Sequence, residues 1–166
     1  MSIVSPTSSE DYTFQVLDER HTRWGQQLFA NTADTTRPGI IVQFSGTSGS
    51  MSEVCDGATR PLGIAYGSRH SVYRPTDQCY DAGEPHVVLT GSGHAVLGVS
   101  LFTGGSHPDT LNQSLYAGAN GLWTTVAGTY KVGRFLGPYY HWTGAGTQTQ
   151  TTLSHIEFHI EESVET

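Results

Sequence analysis

The chain is assembled from short apolar runs that glycine interrupts before any of them reaches helical length. Pro38-Gly39-Ile40-Ile41-Val42-Gln43-Phe44 leads through Gly46 and Gly49 to Pro61-Leu62-Gly63-Ile64-Ala65-Tyr66-Gly67. In the same way Ser114-Leu115-Tyr116-Ala117 leads through Asn120-Gly121 to Lys131-Val132-Gly133-Arg134-Phe135-Leu136. β-Branched and aromatic side chains suit a pleated, half-buried surface, whereas glycine inside a helix costs ~1 kcal/mol, so this grammar selects strands and turns. Charged residues make up only 14% of the chain, and no stretch keeps apolar residues at helical spacing over several turns. The expected fold is all-β, a single small barrel or sandwich of roughly nine or ten short strands with long loops.

With 166 residues the chain fits one core and a peripheral segment. Residues 1–11, ending in Ser8-Ser9-Glu10-Asp11, are too polar to order themselves and are expected to form a flexible N-terminal arm. The single β-rich domain then covers residues 12–166. Tyr12-Thr13-Phe14-Gln15-Val16 alternates with period two and reads as the first strand. Residues 18–38 lack periodicity and read as a loop with one helical turn. Gly39–Phe44 and Met51–Val54 read as a hairpin around the glycine and serine residues between them. Residues 85–90 and 94–102 flank Gly91-Ser92-Gly93, the composition of a second tight hairpin. Asn120-Gly121 supplies two residues tolerant of positive φ and predicts a type I′ turn joining Leu115-Tyr116 to 122–126, with the next strand at Tyr130–Leu136. The last strand, Leu153–Ile160, places Ile156, Phe158 and Ile160 on a core face and His155, Glu157 and His159 on the other.

A net charge of −7 with no cluster of Lys or Arg argues against nucleic-acid binding, which rests on neutralising phosphates. No apolar run approaches the ~20 residues that span a bilayer, and the N-terminal residues lack a signal peptide's basic start and apolar stretch, so the expectation is a soluble protein made in the cytoplasm. Cys55 and Cys79 are too few for a disulfide framework and fit no zinc spacing; two unpaired thiols are expected, with a bridge between them as the alternative.

Catalytic signatures fail on spacing. Gly46-Thr47-Ser48-Gly49 lacks the Gly-x-Ser-x-Gly of a hydrolase elbow and no helix follows it. Neither glycine loop ends in the Lys-Ser/Thr of a phosphate loop. Asp81, Glu84 and Asp109 lie near loops, with nothing to make them a glycosidase pair. His155 and His159 flank Glu157, yet a zinc site needs further ligands and only His141 offers itself, so a solvated or interfacial polar face is expected there and no metal or cofactor. Tyr139-Tyr140-His141-Trp142, followed by Thr143-Gly144-Ala145-Gly146, reads as an exposed aromatic tip of the kind enriched at protein interfaces.

Taken together, the segments at 38–42, 61–67, 114–122 and 132–136 resemble the capsid decoration, or cement, proteins of tailed bacteriophages, whose pattern runs Pro-Gly-x-x-Val, turn, Gly-Val-Ala, then x-Leu-Tyr, turn, x-x-Gly-x-x-Leu. The likeness covers roughly residues 38–136. It implies a non-enzymatic, cofactor-free structural protein on the outer surface of an expanded head, contacting the major capsid protein and neighbouring copies of itself, as a trimer among other arrangements. Tyr12, Trp24, Tyr139, Tyr140, His141 and Trp142 are the residues this reading assigns to capsid or subunit contacts. The insert Ser68–Glu84 and the extension Tyr139–Thr152 depart from the family pattern. They carry the alternative, a carbohydrate- or host-surface-binding module of a virion, with an enzyme third.

Overall fold

The computed structural model describes residues 14–18, 22–31, 36–46, 49–66, 80–105, 107–142 and 148–160. Ten strands run through them: β1 (Phe14–Asp18), β2 (Thr22–Ala30), β3 (Ile41–Phe44), β4 (Met51–Val54), β5 (Gly63–Tyr66), β6 (Pro85–Leu97), β7 (Ser114–Ala117), β8 (Trp123–Thr124), β9 (Lys131–Trp142) and β10 (Gln148–Ile160). Helical geometry is confined to 3-10 turns at Val99–Leu101, Thr103–Gly105 and Ala119–Gly121 among the described residues. The fold is all-β, as the glycine-punctuated runs require.

The spine is β6. Its first half is flanked by β2, with Trp24 opposite Leu89, and by β5, with Ile64 opposite Leu89. Its second half is flanked by β1, with Phe14 opposite Leu97, and by β10, with Ser154 opposite Leu97. The path β2-β4-β3-β5-β6 closes on itself through the β2–β6 pairing, making a five-stranded barrel whose one parallel seam joins Phe29 and Ala30 to Met51 and Ser52. From β6 the sheet continues through β10, β9, β7 and β8.

Two expectations are corrected here. Gly91-Ser92-Gly93 does not reverse the chain; residues 85–97 are one strand of 13 residues, and the second run then passes into the 3-10 turn at Val99–Leu101. At Gly91, with φ +84°, the flanking partners change, because Thr22 and Ile160 both pair with this residue. A positive φ here bends the strand from barrel to outer sheet without ending it, a use of glycine that composition cannot tell from a turn. Residues 22–30, read as loop, form β2. Its register against β6 shifts between Trp24 and Gln27, so no single alternation runs through the segment.

Other expectations hold. β3 and β4 pair as a hairpin with Val42 opposite Val54. Asn120 and Gly121 take φ 59° and 68°, Leu122 N–H donates to the Ala119 carbonyl, and β7 pairs with β8 across the turn. Ile156, Phe158 and Ile160 are buried, each contributing about 1.5–3 kcal/mol of apolar burial. β9 begins as expected but runs on to Trp142.

The β7–β8 hairpin is fastened to the barrel by its turn and its tryptophan. Trp123 is fully buried and its Nε1–H donates to the Gly39 carbonyl at 2.9 Å, while Gly121 N–H donates to the Cys55 carbonyl at 2.7 Å. A Cβ on Gly121 would lie 2.4 Å from Ile40 Cγ2, so only glycine permits this approach. Cys55 is a free, buried thiol and burial raises its pKa. Cys79, the 1–11 arm and most of the 68–84 insert lie outside the described residues.

Candidate functional site

Tyr139, Tyr140, His141 and Trp142 occupy the outer end of β9, where Tyr140, His141 and Trp142 stand opposite Gln150, Thr149 and Gln148 of β10. They are rungs of a ladder, and the connecting residues 143–147 lie outside the described residues. Pairing of β10 with β6 ends at Ser154 and Leu97, and β7 pairs with β9 only near Lys131–Arg134. Beyond Pro138 and Ser154 the two strands therefore pair only with each other among the described residues, forming a two-stranded extension. Trp24 is far from it in register, opposite Leu89 in the barrel half of β6. Tyr12 lies outside the described residues.

A bulge roots the extension. Register shifts between Gln150 and Ser154, leaving extra residues on β10 opposite the Tyr139 region, and Pro138, which cannot donate to a ladder, sits at this break. The bulge lodges Leu153 beside Pro138 in a cleft of about 440 Å³ that Pro108, Leu111 and Phe135 also line. Leu111 stands 62% exposed on the rim, its apolar surface continuous with the cleft. Its loop is held against β9 by Asn112 N–H donating to the Phe135 carbonyl at 2.8 Å and Phe135 N–H to the Gln113 carbonyl at 2.9 Å. At the cleft floor Ser154 Oγ and His107 Nδ1 hydrogen-bond at 2.5 Å, with the His107 ring edge-on to Phe102. A serine–histidine contact is the first element of a nucleophile, but Ser154 is 1% exposed and sits mid-strand between Leu97 and Pro138, and Asp109 accepts from its neighbour Thr110. The pair ties β10 to the 107 loop.

A second serine–histidine pair lies inside the barrel. Ser52 Oγ and His86 Nε2 are 2.9 Å apart, Tyr80 stacks on the imidazole at 4.9 Å, and the Tyr80 hydroxyl donates to the Tyr66 carbonyl at 2.6 Å. His86 and Tyr80 are fully buried. Burial holds the His86 pKa below its ordinary value, so the ring is a neutral member of the core.

The outward face of β10 carries His155, Glu157 and His159 as expected, and its neighbours explain how it is satisfied. Glu157 forms an ion pair with Arg134 of β9, His159 Nδ1 hydrogen-bonds Ser92 Oγ, and the His155 and His94 rings lie 5.3 Å apart at a tilt of 60°. Burial, then the neighbouring His94, lowers the His155 pKa. No group of three or more His, Cys, Asp or Glu that could hold a metal exists among the described residues, and His141 stands on the extension opposite Thr149.

No protein-family model and no curated protein matches this chain.

Sequence reading found the aromatic segment but missed the cleft beneath it. The signal was available only in part: Pro108, Leu111 and Pro138 are apolar residues outside the strand periodicity, yet only the bulge at 151–153 reveals that they converge on Leu153. It also missed that Lys131 and Arg134 share a face, since three positions apart along a regular strand they would not.

Proposed function

We propose that this chain is a structural protein of a virion, which binds the outer surface of an expanded bacteriophage capsid and stabilises the head by bridging major capsid subunits. The observation that carries this reading is the two-stranded extension bearing Tyr139, Tyr140, His141 and Trp142, rooted in a rigid sheet, with an apolar cleft and the exposed Leu111 at its base. A clamp between subunits needs anchors that reach outward from a framework that does not yield. Aromatic side chains give large contact area at low entropic cost, and an apolar cleft receives a partner's side chain in the manner of an interface hot spot. Spreading such contacts over several capsid subunits and neighbouring copies multiplies weak affinities. The short motifs at 38–42, 61–67, 114–122 and 132–136, which resemble those of decoration proteins, support the same reading.

The test is sedimentation of the purified chain with expanded, undecorated heads, together with the temperature at which the heads release DNA. Saturable binding that makes heads more heat-resistant is expected, and Leu111→Asp should weaken it by about tenfold or more, as loss of an interface hot spot does. Absence of binding, with retention of the chain on immobilised glycans, would replace this reading with the host-surface module.

A further inference from the structure

Most of the described basic side chains lie in one groove on the opposite end of the β9–β10 pair from the aromatic extension. Clefts of about 490 Å³ and about 430 Å³ share Lys131 and His159 and so form one groove, reaching from Arg60 and Pro61 past Tyr130 to Arg134. A β-bulge builds it. Leu115 pairs with Gly133 and Tyr116 with Lys131, so Val132 is an extra residue on β9, and Lys131 and Arg134 both end up exposed while Val132 and Gly133 are buried.

The charge is out of proportion to the chain. Only eight Lys and Arg offset fifteen Asp and Glu. Four of the basic side chains are described, and three of these, Arg60, Lys131 and Arg134, line this groove; the fourth, Arg37, donates to the Ser100 carbonyl. Among the described residues one acidic side chain, Glu157, lines it, and that carboxylate forms an ion pair with Arg134. Positive charge gathered in a concave site on an acidic protein focuses the field on an incoming anion.

We infer that this groove is a docking site for an extended, carboxylate-bearing segment of a partner protein. The chemistry of the walls selects that class. The half-buried Tyr130 ring, backed by the buried Pro61, Val132 and Ile160, supplies apolar surface between the cations, which suits a strand alternating acidic and apolar side chains. The same side-chain cations would also hold a free phosphate, which competition by inorganic phosphate separates, and the net charge of −7 repels a nucleic-acid backbone. The inference stands independently of the capsid reading, because it rests on the groove and not on the extension.

The experiment is fluorescence anisotropy of a labelled peptide of alternating glutamate and valine, titrated at low salt with the full chain. Glu161 and Glu162 follow Ile160 in the sequence and carry carboxylates of the class proposed, so the Glu161→Gln/Glu162→Gln chain is titrated in parallel. Saturable binding to either chain is expected, weakening as salt rises and falling by about tenfold in Lys131→Glu/Arg60→Glu, two exposed substitutions whose fold is checked by circular dichroism. Binding that survives the charge reversal overturns the site. So does failure of both chains to bind, and displacement of the peptide by inorganic phosphate as readily as by free peptide would make this a small-anion site instead.

Discussion

Trp123 shows how one side chain can decide the stability of a whole hairpin. Its ring is fully buried between the β7–β8 hairpin and the barrel, and its Nε1–H is the partner of the Gly39 carbonyl at 2.9 Å. Trp123→Phe keeps much of the apolar area but leaves that carbonyl without its donor, at a cost of about 1–3 kcal/mol, and adds a partial cavity. Urea unfolding should therefore show a lower midpoint for Trp123→Phe with little change in slope. An unchanged midpoint would mean that the carbonyl finds another donor. The role of Trp123 was not legible in the sequence, since Leu122-Trp123-Thr124 reads as any strand with an aromatic residue. Gly39 and Trp123 are 84 positions apart, and only the fold brings them together.

At the level of elements, glycine did most to mislead and most to inform. Asn120-Gly121 announced its turn because two adjacent residues tolerant of positive φ have few other uses. Gly91-Ser92-Gly93 announced a turn that does not exist, because a bend in a continuous strand uses the same residue for the same conformational reason. Likewise β2 was hidden by its own bulge: a register shift between Trp24 and Gln27 breaks the period-two signal on which strand recognition depends. The glycines differ in φ and in what a side chain would meet, and this gives a graded prediction. Gly121→Ala combines φ +68° with a Cβ only 2.5 Å from the Ile41 carbonyl oxygen, so it should destabilise by more than the roughly 1–2 kcal/mol of a left-handed alanine alone. Gly49→Ala, with nothing within 4 Å and no positive φ, should be neutral or stabilise by about 0.4–1 kcal/mol. Thermal melts of the two variants against the parent chain order these effects, and equal shifts would contradict the tight docking of the 120–121 turn.

Across the whole molecule, the candidate sites were legible as residue types and not as places. Tyr139–Trp142 stood out by composition, whereas the cleft at its root and the cationic groove at the other end of the same strand pair both depend on β-bulges, one on each of two neighbouring strands. The response of the fold to acid can be decided by weighing a global term against a local one. Lowering the pH toward the isoelectric point of about 5.5 reduces the net negative charge, which relieves self-repulsion and favours the compact state. Two desolvated rings act the other way, one fully buried and one half-buried. His86, packed against Ser52 and Tyr80 with Glu84 nearby, and His155, facing His94, both have folded-state pKa values below the ordinary 6.5. In the window below 6.5 the unfolded chain binds protons that the folded chain refuses, so their contribution is whole above that pH and is lost as the pH falls through the folded values. Asp56, with its pKa lowered by accepting from the Thr59 and Ala58 N–H groups, titrates below 3.8 and does not overlap this window. Self-repulsion is spread over the surface and screened within about 10 Å at 0.1 M salt, while desolvation of a buried imidazole is indifferent to salt. At that ionic strength the histidines should win: the urea midpoint is expected to be level from pH 8 to 7 and to fall between pH 6.5 and 5. His86→Gln, which keeps a polar partner for Ser52, should lower the midpoint throughout but flatten its descent. A midpoint that rises on acidification at 0.1 M salt would show that relief of self-repulsion outweighs both rings.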